Sequence, residues 1–277
     1  MIINKKTKIV ATLGPATNTK ETLTELASSG VNVFRINFSH ADYEDVKKRV
    51  KQIREINHEN GYNIAVLADL QGPKLRVGVM EEGIMLKDGD EFIFTTEECV
   101  GNNEKAYMTY QNFPRDVKPG EQILVDDGKL LFEVISTDKK LKVVTKVIVG
   151  GVLSSKKGVN LPNTNISLPA LTEKDKKDAI FALSLDVDWL ALSFVRTPED
   201  LRILRDLIAQ NSKYRVPVIA KIEKPEAIEN IDKIIAYCDG LMVARGDLGV
   251  EVPAAEVPLI QKNYRQHHQV PQLLQHH

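Results

Sequence analysis

The stretch VIAKIE, at residues 218–223, is the most informative in the sequence. Its apolar residues are mostly β-branched and follow one another without alternation, which is typical of a strand buried on both faces of a parallel sheet. Lys221 and Glu223 interrupt this run, and residues two apart on a strand point to the same face. Because burying two uncompensated charges costs several kcal/mol, the pair indicates a functional site. The alternative is that the charges only pair with one another as salt bridges at the rim of the sheet.

Similar apolar runs recur at residues 8–13, 31–38, 64–70, 187–194 and 241–244. Amphipathic stretches that we predict to be helices lie between most of them, at residues 19–29, 42–58, 172–184 and 198–209. Alternating strands and helices are typical of βαβ units. The sequence therefore predicts an α/β fold, as either a barrel or a doubly wound sheet.

One interval, residues 73–168, departs from this pattern. It contains short alternating runs at residues 91–95, 122–125 and 141–149, separated by turn sequences such as KDGD at 87–90. We interpret it as a small all-β domain inserted between the third strand and the third helix, where barrels tolerate a lid. The barrel domain then comprises residues 1–72 and 169–262, and an atypical tail follows at residues 263–277.

The composition argues against some classes of protein. Lysine plus arginine (37) nearly balances aspartate plus glutamate (38), so the chain lacks the basic excess typical of nucleic-acid and membrane-surface binding. Cys99 and Cys238 fit no metal spacing, and the N-terminus carries no export signal, so we expect a reducing, cytoplasmic location. The tail is rich in histidine, and we expect a disordered or out-of-frame end there, with metal binding as the alternative.

Charged and polar residues collect where four of the predicted strands end. They are Arg35, Asn37, Ser39 and His40; Asp69, with Lys74 and Arg76 after it; Lys221 and Glu223; and Gly246 and Asp247. In a barrel, functional residues lie at the carboxyl ends of strands. Cations beside carboxylates suit a phosphorylated, carboxylated substrate held through a divalent metal, and Glu223 and Asp247 are suitable ligands for Mg²⁺.

Five motifs carry a resemblance to a known family. They are FRINFSH at 34–40, DLQGPKLR at 69–76, KGVNLP at 157–162, AKIE at 220–223 and MVARGDLG at 242–249. In this order and spacing they resemble the motifs of the pyruvate kinase family, over residues 6–262. The resemblance implies a (β/α)8 TIM barrel, incomplete here with about six of eight strands, and an inserted small all-β barrel domain as its lid. It also implies phosphoryl transfer from phosphoenolpyruvate to ADP, giving pyruvate and ATP in glycolysis.

The resemblance implies a role for each matched residue. Arg35 would grip the substrate phosphate and Lys221 would stabilise charge on the transferring phosphoryl group, both as catalytic residues. Glu223 and Asp247 would hold Mg²⁺, and the backbone at Gly246 and Asp247 would receive the substrate carboxylate. Four residues would contact ADP or ATP: Asn37, His40, Arg76 and Lys157. Full-length relatives are expected to be homotetramers.

The segment LQGPK, at residues 70–74, resembles the potassium-independent branch of the family. The monovalent-cation region would comprise Asn37, Ser39, Asp69 and Leu70. The ammonium group of Lys74 would supply the positive charge that K⁺ supplies elsewhere, so we expect a full-length relative with this segment to work without K⁺. The alternative is that Lys74 merely points to solvent.

The match to the family motifs ends near residue 262, before the expected seventh and eighth strands and the C-terminal domain. A barrel without all its strands exposes two edges, so we expect a truncated or frameshifted chain that is inactive and poorly folded. Two other functions stay open. One is another Mg²⁺-dependent phosphoenolpyruvate or oxoacid enzyme on the same barrel, and the other is a non-catalytic product that binds a ligand or intact subunits.

Overall fold

The computed structural model describes residues 7–267 and 273–276. Apart from two 3-10 helices at Pro15–Thr17 and Phe38–His40, its first elements alternate between strand and α-helix: β1 (Val10–Thr12), α1 (Lys20–Ser28), β2 (Val33–Asn37), α2 (Tyr43–Asn60) and β3 (Ala65–Leu70). The side chain of Asp42 begins α2 by accepting hydrogen bonds from two backbone N–H groups of the first turn. Gly61, in the left-handed region, ends it. One face of α2 is apolar and buries Val46, Val50 and Ile53 against the strands.

The next part of the chain forms the inserted domain, which lies between β3 and the next barrel helix. Its elements are β4 (Met85–Leu86), β5 (Glu91–Thr95), β6 (Lys105–Tyr107), the one-turn helix α3 (Phe113–Asp116), β7 (Gln122–Val125), β8 (Leu130–Thr137), β9 (Lys142–Val149), β10 (Gly151–Val152) and β11 (Val159–Asn160). Six of these strands form a mainly antiparallel sheet in the order β11-β7-β8-β9-β5-β6, and β4 pairs with β10. The inserted domain has its own apolar core, in which Phe92, Phe94 and Phe132 pack edge to face or tilted.

The barrel then resumes. Its elements are α4 (Glu173–Ser184), β12 (Trp189–Leu192), α5 (Pro198–Asn211), β13 (Val218–Ile222), α6 (Pro225–Glu229), α7 (Ile231–Ile235), β14 (Gly240–Ala244), α8 (Arg245–Glu251), α9 (Val257–His267) and β15 (Leu273–His276). Seven strands form one parallel sheet in the order β1-β2-β3-β12-β13-β14-β15. The predicted α/β fold is confirmed. Within the described residues β1 and β15 each have one neighbour, so the sheet is an open barrel.

The open barrel agrees with the expected incomplete barrel of about six strands, and the structure describes a seventh. The additional strand is β15, which lies in the predicted tail and pairs in parallel with β14. It was missed because Leu273 and Leu274 form a very short apolar run among glutamine and histidine residues. Residues 268–272 and 277 of that tail lie outside the described residues. The domain boundaries proposed from the sequence stay predictions.

The concave side of the sheet carries two layers of side chains, which determines where a site can form. Near the amino ends of the strands the layer is apolar and consists of Leu67, Ala191, Ile219 and Met242, with Val33 and Trp189 packed against them. Inward positions recur every second residue, so the next inward side chains are Arg35, Asp69, Ser193 and Lys221, which are polar, and Ala244. No helix in the described part of the chain has the length and apolar character that crossing a bilayer requires.

Candidate active site

Four charged side chains lie together in this polar layer, and we call them the buried charge cluster: Arg35 from β2, Asp69 from β3, Lys221 from β13 and Glu223 directly after it. Between 1% and 8% of each residue is exposed. The Arg35 guanidinium donates from Nε to Asp69 Oδ2 over 2.6 Å, and from Nη1 to the hydroxyl of Thr12 over 2.8 Å. The sheet register thus brings residues far apart in the sequence to one place.

Lys221 is the centre of the cluster. Its ammonium group lies 2.9 Å from Glu223 Oε1 and 3.4 Å from Asp69 Oδ1, and it donates to Ser193 Oγ over 2.7 Å. Burial alone would lower the pKa of Lys221, but the carboxylates of Glu223 and Asp69 outweigh it and raise the pKa above its usual value. The side chain is therefore a fixed positive charge that two carboxylates and a hydroxyl hold in one orientation.

The Glu223 carboxylate is held from two sides. Oε1 pairs with Lys221, and Oε2 accepts a hydrogen bond from the backbone N–H of Phe194 over 2.8 Å. Burial raises the pKa of Glu223; the Lys221 ammonium opposes this, and the Asp247 carboxylate adds to it. Asp247 lies in the first turn of α8 and is exposed. Two carboxylates that repel one another through space are a suitable pair for a divalent cation.

The residues present fit Mg²⁺ better than a metal that needs many protein ligands. In the described residues no group of three or more histidine, cysteine, aspartate or glutamate side chains could hold an ion. Mg²⁺ keeps several waters and takes one or two protein carboxylates plus substrate oxygens. Glu223 and Asp247 would supply those two.

The charges of the cluster also pair with one another. The alternative interpretation of Lys221 and Glu223 was that they only form such salt bridges at the rim of the sheet. Exposed rim pairs are worth little, whereas these pairs are buried, and buried pairs are often less stable than apolar residues of the same volume. Asp69 Oδ1 accepts no hydrogen bond from the described residues and lies 3.4 Å from the Lys221 ammonium, while Arg35 donates to Oδ2. The cluster is therefore better explained as a functional site than as a stabilising network of ion pairs.

A pocket opens between the inserted domain and the carboxyl ends of the barrel strands. From the inserted domain and its links it is lined by Pro73, Lys74, Leu75, Asp127, Gly158, Val159, Asn160 and Ile166, and from the barrel by Phe194, Arg196, Lys224 and Asp247. Lys74 and Asp247 are exposed. A ligand in this pocket would contact both domains.

The remaining predicted residues lie around this centre. Asn37 is exposed and its side chain accepts from the N–H of Ser39, and Leu70 is buried, its carbonyl accepting from Ser193. The Lys74 side chain passes beside Gly158 and forms no ion pair with the described residues. Gly246 is exposed in the first turn of α8. The side chain of His40 lies outside what the structure describes.

Two predicted nucleotide contacts lie in the inserted domain. Arg76 donates from Nη1 to the carbonyl of Lys156 over 2.8 Å, and Lys157 pairs with Asp126 at 2.9 Å. Both therefore have local partners and are separate from the buried charge cluster, with no contact to it among the described residues.

Sequence analysis missed several residues that hold the site. Thr12 and Ser193 extend the cluster, and Asp175 at the start of α4 accepts from the N–H of Gly72 over 3.1 Å. Arg196 donates to the carbonyls of Ile166 and Leu168, where the inserted domain returns to the barrel. Only Asp175 had a visible signal, because it follows Thr172 by three residues in a capping box.

The fold and the cluster define the class as barrel enzymes with a β domain inserted after the third strand. The family model for the pyruvate kinase barrel domain matches residues 4–270. The chain belongs to the pyruvate kinase family. The pyruvate kinase of Geobacillus stearothermophilus is 45% identical over 262 residues, which cover 94% of this chain and 45% of that relative. For Corynebacterium glutamicum the identity is 44%, over 94% of this chain and 54% of the relative.

A solved structure also shows similarity to the pyruvate kinase family. The crystal structure of a pyruvate kinase from Cryptosporidium parvum has a TM-score of 0.88 and 36% identity, covering 93% of this chain and 54% of that one. The chain thus spans about half the length of the relatives it matches.

Proposed function

We propose that this chain carries the phosphoryl-transfer site of a pyruvate kinase, which transfers phosphate from phosphoenolpyruvate to ADP and gives pyruvate and ATP in glycolysis. The single observation that supports this most is the buried ammonium of Lys221, held by Glu223, Asp69 and Ser193 beside the pocket under the inserted domain. Catalysis of phosphoryl transfer depends mainly on positioning the reactants and on neutralising the charge that develops. A preorganised cation at this place serves both.

In this proposal each side chain has one task. Arg35, fixed by Asp69 and Thr12, binds the phosphate of phosphoenolpyruvate, and Lys221 stabilises negative charge on the transferring group. The backbone at Gly246 and Asp247 receives the substrate carboxylate, since the first N–H groups of α8 lack partners within the helix. Glu223 and Asp247 hold Mg²⁺, which supplies positive charge that neutralises phosphate oxygens.

The nucleotide would lie under the inserted domain. Arg76 and Lys157 project from that domain, with Asn37 and His40 on the barrel side, and we propose that all four contact ADP or ATP. Solvent would be excluded when the inserted domain closes as a lid. We further propose a cytoplasmic enzyme that forms homotetramers at full length, as its resemblance to the family implies.

Asp247→Asn tests the proposal at an exposed residue and leaves the hydrogen bonds of the buried charge cluster in place. In the purified full chain, binding of phosphoenolpyruvate measured by calorimetry should require a Mg²⁺ concentration about tenfold higher or more in the variant. Asp206→Asn, an exposed aspartate on α5, is the matched control and should behave as the parent chain. If the parent binds phosphoenolpyruvate by calorimetry without turnover, ligand binding without catalysis becomes the function.

Independence from K⁺ is a second part of the proposal. Lys74 is a cation at the pocket that has no ion-pair partner among the described residues, so it is available to replace a bound monovalent ion. For a full-length relative with this segment, activity in sodium- and potassium-free tetramethylammonium buffer should equal activity with added K⁺. In such an enzyme Lys74→Ala should create a K⁺ requirement, and a strict requirement in the unsubstituted enzyme would refute this role.

A further inference from the structure

Three residues that have no role so far join the inserted domain to the barrel. Asn160 belongs to β11 of the inserted domain, Glu251 ends α8, and Lys224 follows Glu223 after β13. Glu251 Oε1 accepts from Asn160 Nδ2 over 2.7 Å and from Lys224 Nζ over 2.6 Å. One carboxylate oxygen therefore connects three separate segments of the chain.

Burial makes this connection strong. Lys224 is 5% exposed and Glu251 is 6% exposed, and hydrogen bonds to charged groups are about twice as strong as those between neutral groups. Oε2 of Glu251 is buried and has no hydrogen-bond partner among the described residues. All the hydrogen bonds that the structure records for this carboxylate are thus at Oε1, so losing Asn160 removes one of the two.

The position of Glu251 on α8 links these contacts to the proposed metal site. Glu251 follows Asp247 by four residues, so the two carboxylates lie on the same face of the helix, one turn apart. Like charges at this spacing repel, and the Lys224 ammonium compensates the buried one. The exposed carboxylate of Asp247 then stays available for a cation.

We propose that Asn160, Glu251 and Lys224 form a latch that couples the position of the inserted domain to α8, and that Asn160 and Glu251 are positioning residues for phosphoryl transfer. The latch holds the β11 end of the inserted domain over the pocket, against the helix that presents Gly246 and Asp247. The positioning role in phosphoryl transfer rests on the proposed function. The coupling between the inserted domain and α8 does not depend on it.

Hydrogen exchange of backbone amides in the full chain tests the coupling directly. Asn160→Ala removes one hydrogen bond to a charged group, so the amides of β11 and of α8 should exchange about tenfold faster or more. Asn163→Ala is the matched control, because Asn163 is exposed three residues further along the same segment, and it should change neither element. Equal exchange rates in the two variants would overturn the latch.

A double-mutant cycle isolates the pair of residues. In a Glu251→Gln background the effect of Asn160→Ala should become several-fold smaller, since the charged acceptor is already gone. Fully additive effects would contradict a direct coupling. If Asn160→Ala does not yield folded protein, Asn160→Asp has the same size and should accelerate exchange further, because it places a second carboxylate against Glu251.

Kinetics separate the latch from the proposed function. Asn160→Ala should raise the KM for ADP about tenfold through the inserted domain and lower kcat several-fold through α8, which presents Gly246 and Asp247. A chain without turnover that shows the exchange result keeps the latch and rejects the proposed function. Normal KM for ADP with unchanged exchange rejects the latch and keeps the function.

Discussion

At the scale of single residues, the stability of the site depends on the charge balance around Lys221. Lys221→Met leaves Asp69 and Glu223 buried without their shared cation, and breaking a buried pair in this way costs about 3–5 kcal/mol. We expect the free energy of unfolding in urea to fall by that amount at pH 7. Lys213→Met, an exposed lysine without an ion pair among the described residues, should change it by less than about 0.5 kcal/mol. Equal stability of both variants would mean that water already solvates the cluster.

Which residues of the site the sequence could predict follows from the same charges. Lys221 and Glu223 were visible because charged residues inside a β-branched run conflict with burial, and Arg35 was visible because it lies near the end of a predicted strand. Ser193 and Thr12 were not visible, since a hydroxyl group on a strand is unremarkable until its partner is known. The backbone N–H of Phe194, which Glu223 accepts from, depends on a left-handed φ of 56° that its sequence does not indicate.

At the scale of elements, the turn after β3 determines how the inserted domain leaves the barrel. Gly72 has a φ of 70°, and a Cβ there would lie 2.7 Å from the Phe194 ring. Gly72→Ala should therefore cost the strain of a left-handed residue plus a steric conflict of about 1–3 kcal/mol. Gly61→Ala is the matched control, because Gly61 has a φ of 67° and open space around it. Thermal unfolding of both variants checks this, and equal losses would show that Phe194 moves aside freely.

A second element-scale contact fixes the start of β14. Asp239 accepts from the N–H of Val218 and from Arg205, both over 2.8 Å, and pairs with Arg215. Burial alone would raise the pKa of Asp239, but these hydrogen bonds and charges outweigh it and lower the pKa below its ordinary value. A lowered folded-state pKa stabilises the fold above the unfolded-state pKa, and this contribution disappears as the pH falls through the folded-state value.

Asp239→Asn should therefore reduce the free energy of unfolding at pH 7, and the difference from the parent should shrink below about pH 3.8. Urea unfolding at pH 7, 5 and 3 measures this. Asp206→Asn, which breaks only an exposed pair with Arg202 at 3.3 Å, should have a small effect at every pH. A loss for Asp239→Asn that stays constant down to pH 3 would contradict the assignment.

The elements themselves were predictable where one physical signal dominated. The strand predicted within residues 218–223 is observed as β13 (Val218–Ile222), because its residues are buried on both faces. The short helices α6 and α7 and the strand β15 were missed, since each is five residues or fewer and too short to show a period. Tertiary packing rather than local sequence determines such elements.

At the scale of the whole molecule, the division into barrel and inserted domain was predictable because the hydrophobic period changes near residues 73 and 168. How the two parts contact one another was not predictable. The two anchors between them, at Arg196 and Asn160, are hydrogen bonds between residues 28–91 positions apart. A single sequence carries no signal for such pairs.

The two parts have separate apolar cores, and this leads to a prediction about unfolding. One core comprises barrel residues such as Phe34 and Ile53, and the other comprises residues of the inserted domain such as Phe132. Contacts between the parts are mainly polar, so the chain should not unfold as a single two-state unit. The sole tryptophan, Trp189, lies in the barrel, so its fluorescence reports on the barrel alone, while far-ultraviolet circular dichroism reports on both parts.

We therefore expect the urea transitions measured by these two probes not to coincide. Phe132→Ala removes a fully buried ring and should destabilise the inserted domain by about 3–5 kcal/mol. It should shift the circular dichroism transition and leave the fluorescence transition in place. Ile53→Ala, equally buried in the barrel core, should shift the fluorescence transition instead. Coincident transitions that move together in both variants would mean that the polar anchors, including the latch, join the two cores into one cooperative unit.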